Sequence, residues 1–237
     1  MAQNQKQQSG ARIVINEGDH LDIVDKNALP YQLIKNLGHG ANASVEMVQD
    51  IHTGSVYARK IFRNYTLWRL DEVNRLFHNE VKIMRRLAPH HHIVRVFATY
   101  IARRELGLLL LPVADSGDLA TFLREYHDSQ SPNDYDTQIL LKCFGCLASG
   151  LAFMKQQAIR HKDIKPQNIL IHQGSPVYTD FGISYDSSQA EHSTTTGRPR
   201  AFSRRYCAPE VADFCDRNSK SDVFSLGCVL LEILVAL

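Results

Sequence analysis

His161-Lys162-Asp163-Ile164-Lys165-Pro166-Gln167-Asn168, followed by Asp180-Phe181-Gly182, is the stretch on which the reading of this chain turns. The run 161–168 places an acid, a lysine and an amide at fixed offsets on one loop. Two β-like runs, 169–172 and 177–179, separate it from Asp180. A hard cation takes carboxylate oxygens and a glycine lets the backbone turn, so Asp180 ahead of Gly182 reads as a cation ligand at a turn. Each half alone is a weak signal, whereas loop, hairpin and second carboxylate in that order form a specific one.

Upstream, β-like runs at 31–37, 44–50 and 55–62 are separated by Gly38-His39-Gly40-Ala41-Asn42-Ala43 and Ile51-His52-Thr53-Gly54, the pattern of an antiparallel meander. Apolar residues at helical spacing predict a helix over 71–87 that Pro89 ends, and 93–101 and 107–113 read as two more strands. From Asp118 the pattern turns helical, with a short helix to about Tyr126 and a longer one over 136–157. The shift predicts an α+β protein of two lobes: 1–30 as a partly disordered extension, 31–112 as a five-stranded antiparallel lobe with one helix, and 113–237 as a mainly helical lobe. The apolar run 223–237 falls short of the ~20 residues a spanning helix needs, and reads as a helix made for a core.

With Ala208-Pro209-Glu210 and Ser221-Asp222-Val223-Phe224-Ser225-Leu226-Gly227 added, the chain resembles the catalytic domain of eukaryotic-type protein kinases from about Tyr31 to Leu237. Lys165 follows the pattern of the Ser/Thr type. The resemblance implies ATP and Mg2+ as cofactors and transfer of the γ-phosphate to Ser or Thr hydroxyls of a protein substrate. It implies that Asp163 accepts the hydroxyl proton, that Lys165 neutralises the γ-phosphate, and that Asn168 and Asp180 hold magnesium. Gly38, Gly40 and Ala43 would cover the phosphates with backbone N–H groups, alanine standing where the family has a third glycine. Lys60, in Val56-Tyr57-Ala58-Arg59-Lys60-Ile61, would contact the α and β phosphates. Glu80 is its natural partner; Glu72 is the alternative, though the helix dipole alone explains a carboxylate there. Leu37, Val45, Ala58 and Leu170 would enclose the adenine, Leu111 would guard the back of its pocket, and Ala114 would offer an N–H that Pro112 lacks. Met84, His161, Phe181 and Asp222 would form a packed column. Ser203 aligns with a hydroxyl that bonds the catalytic aspartate and lysine, Glu210 with a glutamate that pairs an arginine, and Thr194, Thr195 and Thr196 fall in the activation segment. A polar loop accounts for most such hydroxyls more readily than regulation does.

Lys162 stands where the family has an arginine that clamps a phosphorylated loop, and a point charge lacks that bidentate fork. Arg198, Arg200, Arg204 and Arg205 read as a solvated basic loop or as a preference for an acidic or already phosphorylated substrate. The family's lobe continues past the helix in which Leu237 lies, so a fragment is expected, and a catalytically silent module binding nucleotide or a partner is the alternative function. Small-molecule kinases lack the Ala-Pro-Glu platform. In a chain of 237 residues, 44% hydrophobic, a formal charge of +2 gives no basis for a nucleic-acid partner. No membrane insertion is expected, and the oligomeric state is open. The five cysteines show no paired metal-ligand spacing and the first residues no apolar stretch, so a cytosolic or nuclear protein is expected. Cys143 and Cys146 read as buried helix thiols or as a redox pair.

Overall fold

The computed structural model describes residues 13–39, 43–62, 70–102, 105–129, 131–188, 194–195 and 203–237. Of the residues singled out above, Gly40, Thr196, Arg198 and Arg200 lie outside the described ones. The chain divides into two compact units, one of residues up to 64 with 97–110, the other of 65–96 with 111–237.

The first unit is a sheet. Its strands are β1 (His20–Ile23), β2 (Tyr31–His39), β3 (Ala43–Asp50), β4 (Val56–Phe62), β5 (Arg95–Ala102) and β6 (Glu105–Leu111), in the order β1-β5-β6-β4-β3-β2. β3 is antiparallel to both β2 and β4, and β4 to β6, as the meander predicts. The expected five antiparallel strands are one too few: β1 comes from the segment read as an extension and runs parallel to β5, His20 opposite Thr99. His-Leu-Asp-Ile is too short and polar to stand out alone. It is held by Gly18 N–H to Phe97 O at 2.7 Å, Thr99 N–H to Asp19 O at 2.9 Å, and His20 Nδ1 against Thr99 Oγ1 at 2.7 Å.

β3 alternates strictly, yet the face it buries carries Ser44, Glu46 and Asp50 beside Val48. Glu46 sits there because Arg59, its register partner on β4, donates Nε at 3.2 Å and Nη2 at 2.7 Å. Asp50 closes the hairpin turn by accepting from His52 N and Thr53 N. On β6, Gly107 lies under the Tyr100 ring, which a Cβ would run into. Tyr100 donates its hydroxyl to Glu105 at 2.7 Å.

The second unit holds the helices α1 (Leu70–Leu87), α2 (Leu119–Asp128), α3 (Asp134–Gln156), α4 (Pro209–Ala212) and α5 (Lys220–Ala236). It also holds two small sheets, β7 (Ile159–Arg160) with β10 (Tyr185–Asp186), and β8 (Ile169–His172) with β9 (Ser175–Tyr178). Asp118 caps α2 through Thr121 N, and Asn133 caps α3 through Asp136 N. The β8–β9 hairpin turns on Gln173 and Gly174, both at positive φ (48° and 68°), the two-residue turn that matches strand twist. α3 is long and apolar enough to cross a bilayer. It nonetheless buries Ile139, Leu140, Cys143, Leu147, Leu151 and Met154 among β8–β9, α5 and its other neighbours. Tyr178 packs over Gly150 and donates its hydroxyl to Leu147 O at 3.0 Å. α5 buries Ser221, Asp222, Ser225, Leu226, Val229 and Ile233 and leaves Val223, Leu231, Leu234 and Val235 exposed.

Candidate active site

The loop 161–168 is fixed from below by one carboxylate. Asp222, in the first turn of α5 and 2% exposed, accepts from His161 N at 2.7 Å through Oδ2 and from Lys162 N at 2.8 Å through Oδ1. Lys162 adopts φ 71°, the left-handed conformation that points both consecutive amides at Asp222. Burial raises the Asp222 carboxyl above its usual range, against His161, these two N–H bonds and the nearby Arg160. His161 is fully buried: its Nδ1 accepts from Asp163 N at 3.3 Å and its Nε2 lies 2.9 Å from Thr179 O. Those partners assign the neutral Nε2–H tautomer. Its ring meets that of buried Phe181, centroids 4.8 Å apart, and Met84 is buried in the same unit.

The loop then delivers its polar groups to one point. Asp163 Oδ2 accepts from Lys165 Nζ at 2.6 Å and Asn168 Nδ2 at 2.9 Å, while Asp163 Oδ1 accepts from Ser203 Oγ at 2.8 Å. Lys165 Nζ also reaches Ser203 Oγ at 3.1 Å. Asn168 lies at the end of a single 3₁₀ turn, Pro166–Asn168, and its Nδ2 bonds Asp163 O at 2.8 Å as well. Both N–H bonds of that amide therefore go to Asp163, which leaves Oδ1 as a carbonyl-type oxygen for a cation. Asp180 is exposed and takes φ 63°. A Cβ at Gly182 would lie 3.5 Å from Asp180 Oδ1 and 3.5 Å from Glu80 Oε2, so those two carboxylates flank one turn. Glu80 is 1% exposed on α1, whereas Glu72 sits exposed in the first turn, 3.9 Å from Arg75. Burial thus separates the two candidate glutamates.

In the sheet unit, Gly38 lies opposite Val45 and Val45 opposite Lys60, one row across three strands. Ala58, two residues from Lys60, shares that face. Lys60 Nζ stands 5.3 Å from the Phe62 ring centre. Leu37 is 39% exposed at the irregularity between Asn36 and Gly38, and Ala43 opens β3 opposite Phe62. In the helical unit, Leu111 ends β6, Ala114 follows half-buried, and half-buried Leu170 on β8 pairs with Val177. The expected nucleotide set is thus shared out between the two units.

Beyond Gly182, Thr194 is exposed, and Thr195 exchanges backbone hydrogen bonds with Arg217 at 2.9 and 3.0 Å. Thr195 Oγ1 accepts from Arg160 Nη2 at 2.8 Å. Glu210 is half-buried in the first turn of α4. Several contributors carry no local signal in the sequence. Glu232 on α5 accepts from Arg205 at 2.7 Å and from Tyr206 Oη at 3.1 Å, and Ser225 Oγ donates to Tyr206 O at 2.8 Å. Burial, with Glu232, pushes the Tyr206 phenol up to about 12 and keeps it a donor. Arg205 is thereby engaged within the chain and is not a free basic arm. Cys143 is buried, and burial pushes its thiol up to about 12, which fits an inert helix thiol and not a redox pair.

The model of the protein kinase domain family matches residues 31–236. Among curated proteins, the chain is 33% identical over 170 residues to serine/threonine-protein kinase nekl-2 of Caenorhabditis elegans, covering 66% of this chain and 43% of that protein. It is 31% identical over 226 residues to CBL-interacting protein kinase 22 of Oryza sativa subsp. japonica, covering 86% and 48%. To serine/threonine-protein kinase 16 of Mus musculus it is 30% identical over 217 residues, covering 86% and 69%. The chain spans less than half the length of the first two of these relatives. A matched stretch that takes in the loop 161–168, the Asp180–Gly182 turn and both units makes the chain a member of the protein kinase domain family.

Proposed function

We propose that the chain transfers the γ-phosphate of ATP to a serine or threonine hydroxyl of a protein substrate. The observation that carries this reading is the convergence of Lys165, Asn168 and Ser203 on the single carboxylate of Asp163. Phosphoryl transfer asks a protein mainly to position groups and to offset charge. In this reading the acceptor hydroxyl takes the place near Asp163 Oδ1 that Ser203 borders, its oxygen bonds to the γ-phosphorus, the bond to the β-phosphate oxygen breaks, and ADP leaves. Asp163 receives the hydroxyl proton, and Lys165 offsets charge on the transferred group. Asn168 Oδ1 and the Asp180 carboxylate suit a hard cation that keeps other ligand places for phosphate oxygens, and Mg2+ held there would neutralise charge on the phosphates. Lys60 and Glu80 are assigned to the nucleotide phosphates and to orienting that lysine. The names of the serine/threonine-protein kinases to which the chain is similar support the acceptor class.

The test is transfer of radiolabelled phosphate from ATP to casein by the chain and by its Asp163→Asn form. Loss of a proton acceptor lowers the rate by about 10²–10⁴-fold. Equal transfer by the two forms removes Asp163 from its role, and no transfer by either leaves a nucleotide-binding or partner-binding module.

A further inference from the structure

Asp186 lies on β10, six residues past the Asp180 carboxylate, and its own carboxylate is the meeting point of two cations from α1. Lys82 Nζ approaches Oδ2 at 3.0 Å and Arg86 Nη1 approaches Oδ1 at 3.0 Å, with the Asp186 side chain 10% exposed. Oδ1 also accepts from Ser188 N at 3.0 Å and Ser188 Oγ at 2.6 Å. One turn back along α1, Asn79 Nδ2 donates to Ser184 O at 3.0 Å. Positions 79, 82 and 86 are spaced i, i+3, i+7, so they form one stripe of the helix, and the stripe is laced to residues 184–188.

That segment is itself anchored to the loop carrying Asp163. Tyr185 and Asp186 pair with Arg160 and Ile159. Ser184 Oγ donates to His161 O at 3.0 Å, and Ser187 Oγ to Ala158 O at 2.8 Å. A chain of contacts therefore runs from α1 through Ser184 and Asp186 to the strand that enters 161–168.

An exposed ion pair contributes little, but this carboxylate is nearly enclosed and takes four donors, so its geometry is defined. Lys82 and Arg86 are like charges at i, i+4 on one face, and they repel unless an anion lies between them. The same helix carries Glu80, whose carboxylate stands beside Gly182 and Asp180. Three contact points along the stripe fix the rotation of α1 about its axis, and with it where Glu80 points.

We propose that Asp186 is a positioning residue for phosphoryl transfer, holding α1 and its Glu80 in register with the Asp180–Gly182 turn through Lys82 and Arg86. The proposal rests on the kinase reading above. Neutralising Asp186 leaves Lys82 and Arg86 facing each other without an anion and lets the stripe lift. A catalytic group displaced by about an ångström costs roughly 10²-fold in rate.

The experiment compares the full chain with its Asp186→Asn and Asp186→Glu forms in two measurements, steady-state transfer from ATP to casein and amide hydrogen exchange. The expected result for Asp186→Asn is a kcat lower by about 10²-fold, KM for ATP nearly unchanged, and faster exchange across α1 with α3 unaltered. Asp186→Glu recovers kcat and slow exchange, which a generally weakened fold would not. Wild-type kcat in Asp186→Asn, or unchanged exchange across α1, overturns the proposal, as does equal loss in the glutamate form. If the unaltered chain transfers no phosphate, the kinase reading fails on its own and the exchange of α1 alone decides whether Asp186 positions the helix.

Discussion

The Ser203 hydroxyl donates to Asp163 Oδ1 at 2.8 Å from 40 residues further along the chain. Ser203 Oγ also accepts from Lys165 Nζ at 3.1 Å, so it braces from a second side the carboxylate–ammonium pair that Lys165 and Asp163 Oδ2 form directly at 2.6 Å. Ser203→Ala should lower kcat by about tenfold to a hundredfold, the worth of a hydrogen bond to charged partners, and Ser203→Thr should retain most of it. Steady-state transfer assays on the two variants check this, and equal rates in alanine and wild-type forms would refute it.

Asp222 gives both oxygens to backbone amides of His161 and Lys162. In Asp222→Asn one of those amides faces an NH2 group in a buried place, so stability should fall by about 1–3 kcal/mol. Urea denaturation measures the shift in midpoint; an unchanged midpoint would mean that the loop is held by something else.

Gly107 leaves no space for a methyl group under the Tyr100 ring. Gly107→Ala should destabilise the sheet unit by about 1–3 kcal/mol, as overpacking does, and Tyr100→Leu in the same chain should recover part of the loss. Thermal melts of the single and double variants decide it.

Burial alone would raise the Asp186 carboxyl, but the Ser188 hydroxyl and amide and the Lys82 ammonium hold it well below the usual carboxylate range. A depressed folded value contributes stability above the unfolded value of about 3.9, lost as pH falls towards the folded one. The stability difference between wild type and Asp186→Asn should therefore be constant from neutral pH to about pH 5 and shrink below about pH 4. Lys82 and Arg86 are the cations facing it. A difference that instead grew on acidification would contradict the assignment.

Thiol reactivity should sort by burial. Cys215 is exposed and should label promptly with a thiol reagent at neutral pH, whereas Cys143, buried and with its thiol pushed up to about 12, should label only on unfolding. Mass mapping of labelled peptides reads both.

What could be read from the chain alone follows the distance over which each contact is written. Asp163, Lys165 and Asn168 converge because their spacing within one loop and one 3₁₀ turn leaves little choice, so that cluster was legible in the residues themselves. The strand meander was legible for the same reason, each hairpin carrying its own turn residues. The Lys82 and Arg86 contacts to Asp186 were not, since each pairs residues about a hundred positions apart and a charged helix face looks the same whether it meets solvent or a carboxylate. Glu232 was hidden likewise: an acid in an apolar helix signals only an interruption until Arg205 and Tyr206 are folded against it. β1 escaped because parallel pairing with β5 leaves no hairpin signature in four alternating residues.

That four-residue strand has a consequence for chains in company. β5 buries Val96, Ala98, Tyr100 and Ala102 and would otherwise present its row of backbone donors and acceptors at the rim of the sheet. Such a rim invites a neighbouring molecule to add a strand, and proteins counter this with short, polar border strands. β1, with His20 and Asp22 exposed and Leu21 and Ile23 half-buried, is a border of that kind. Residues 20–23 precede the stretch matched by the family, and they bear on whether copies of this protein remain apart in solution.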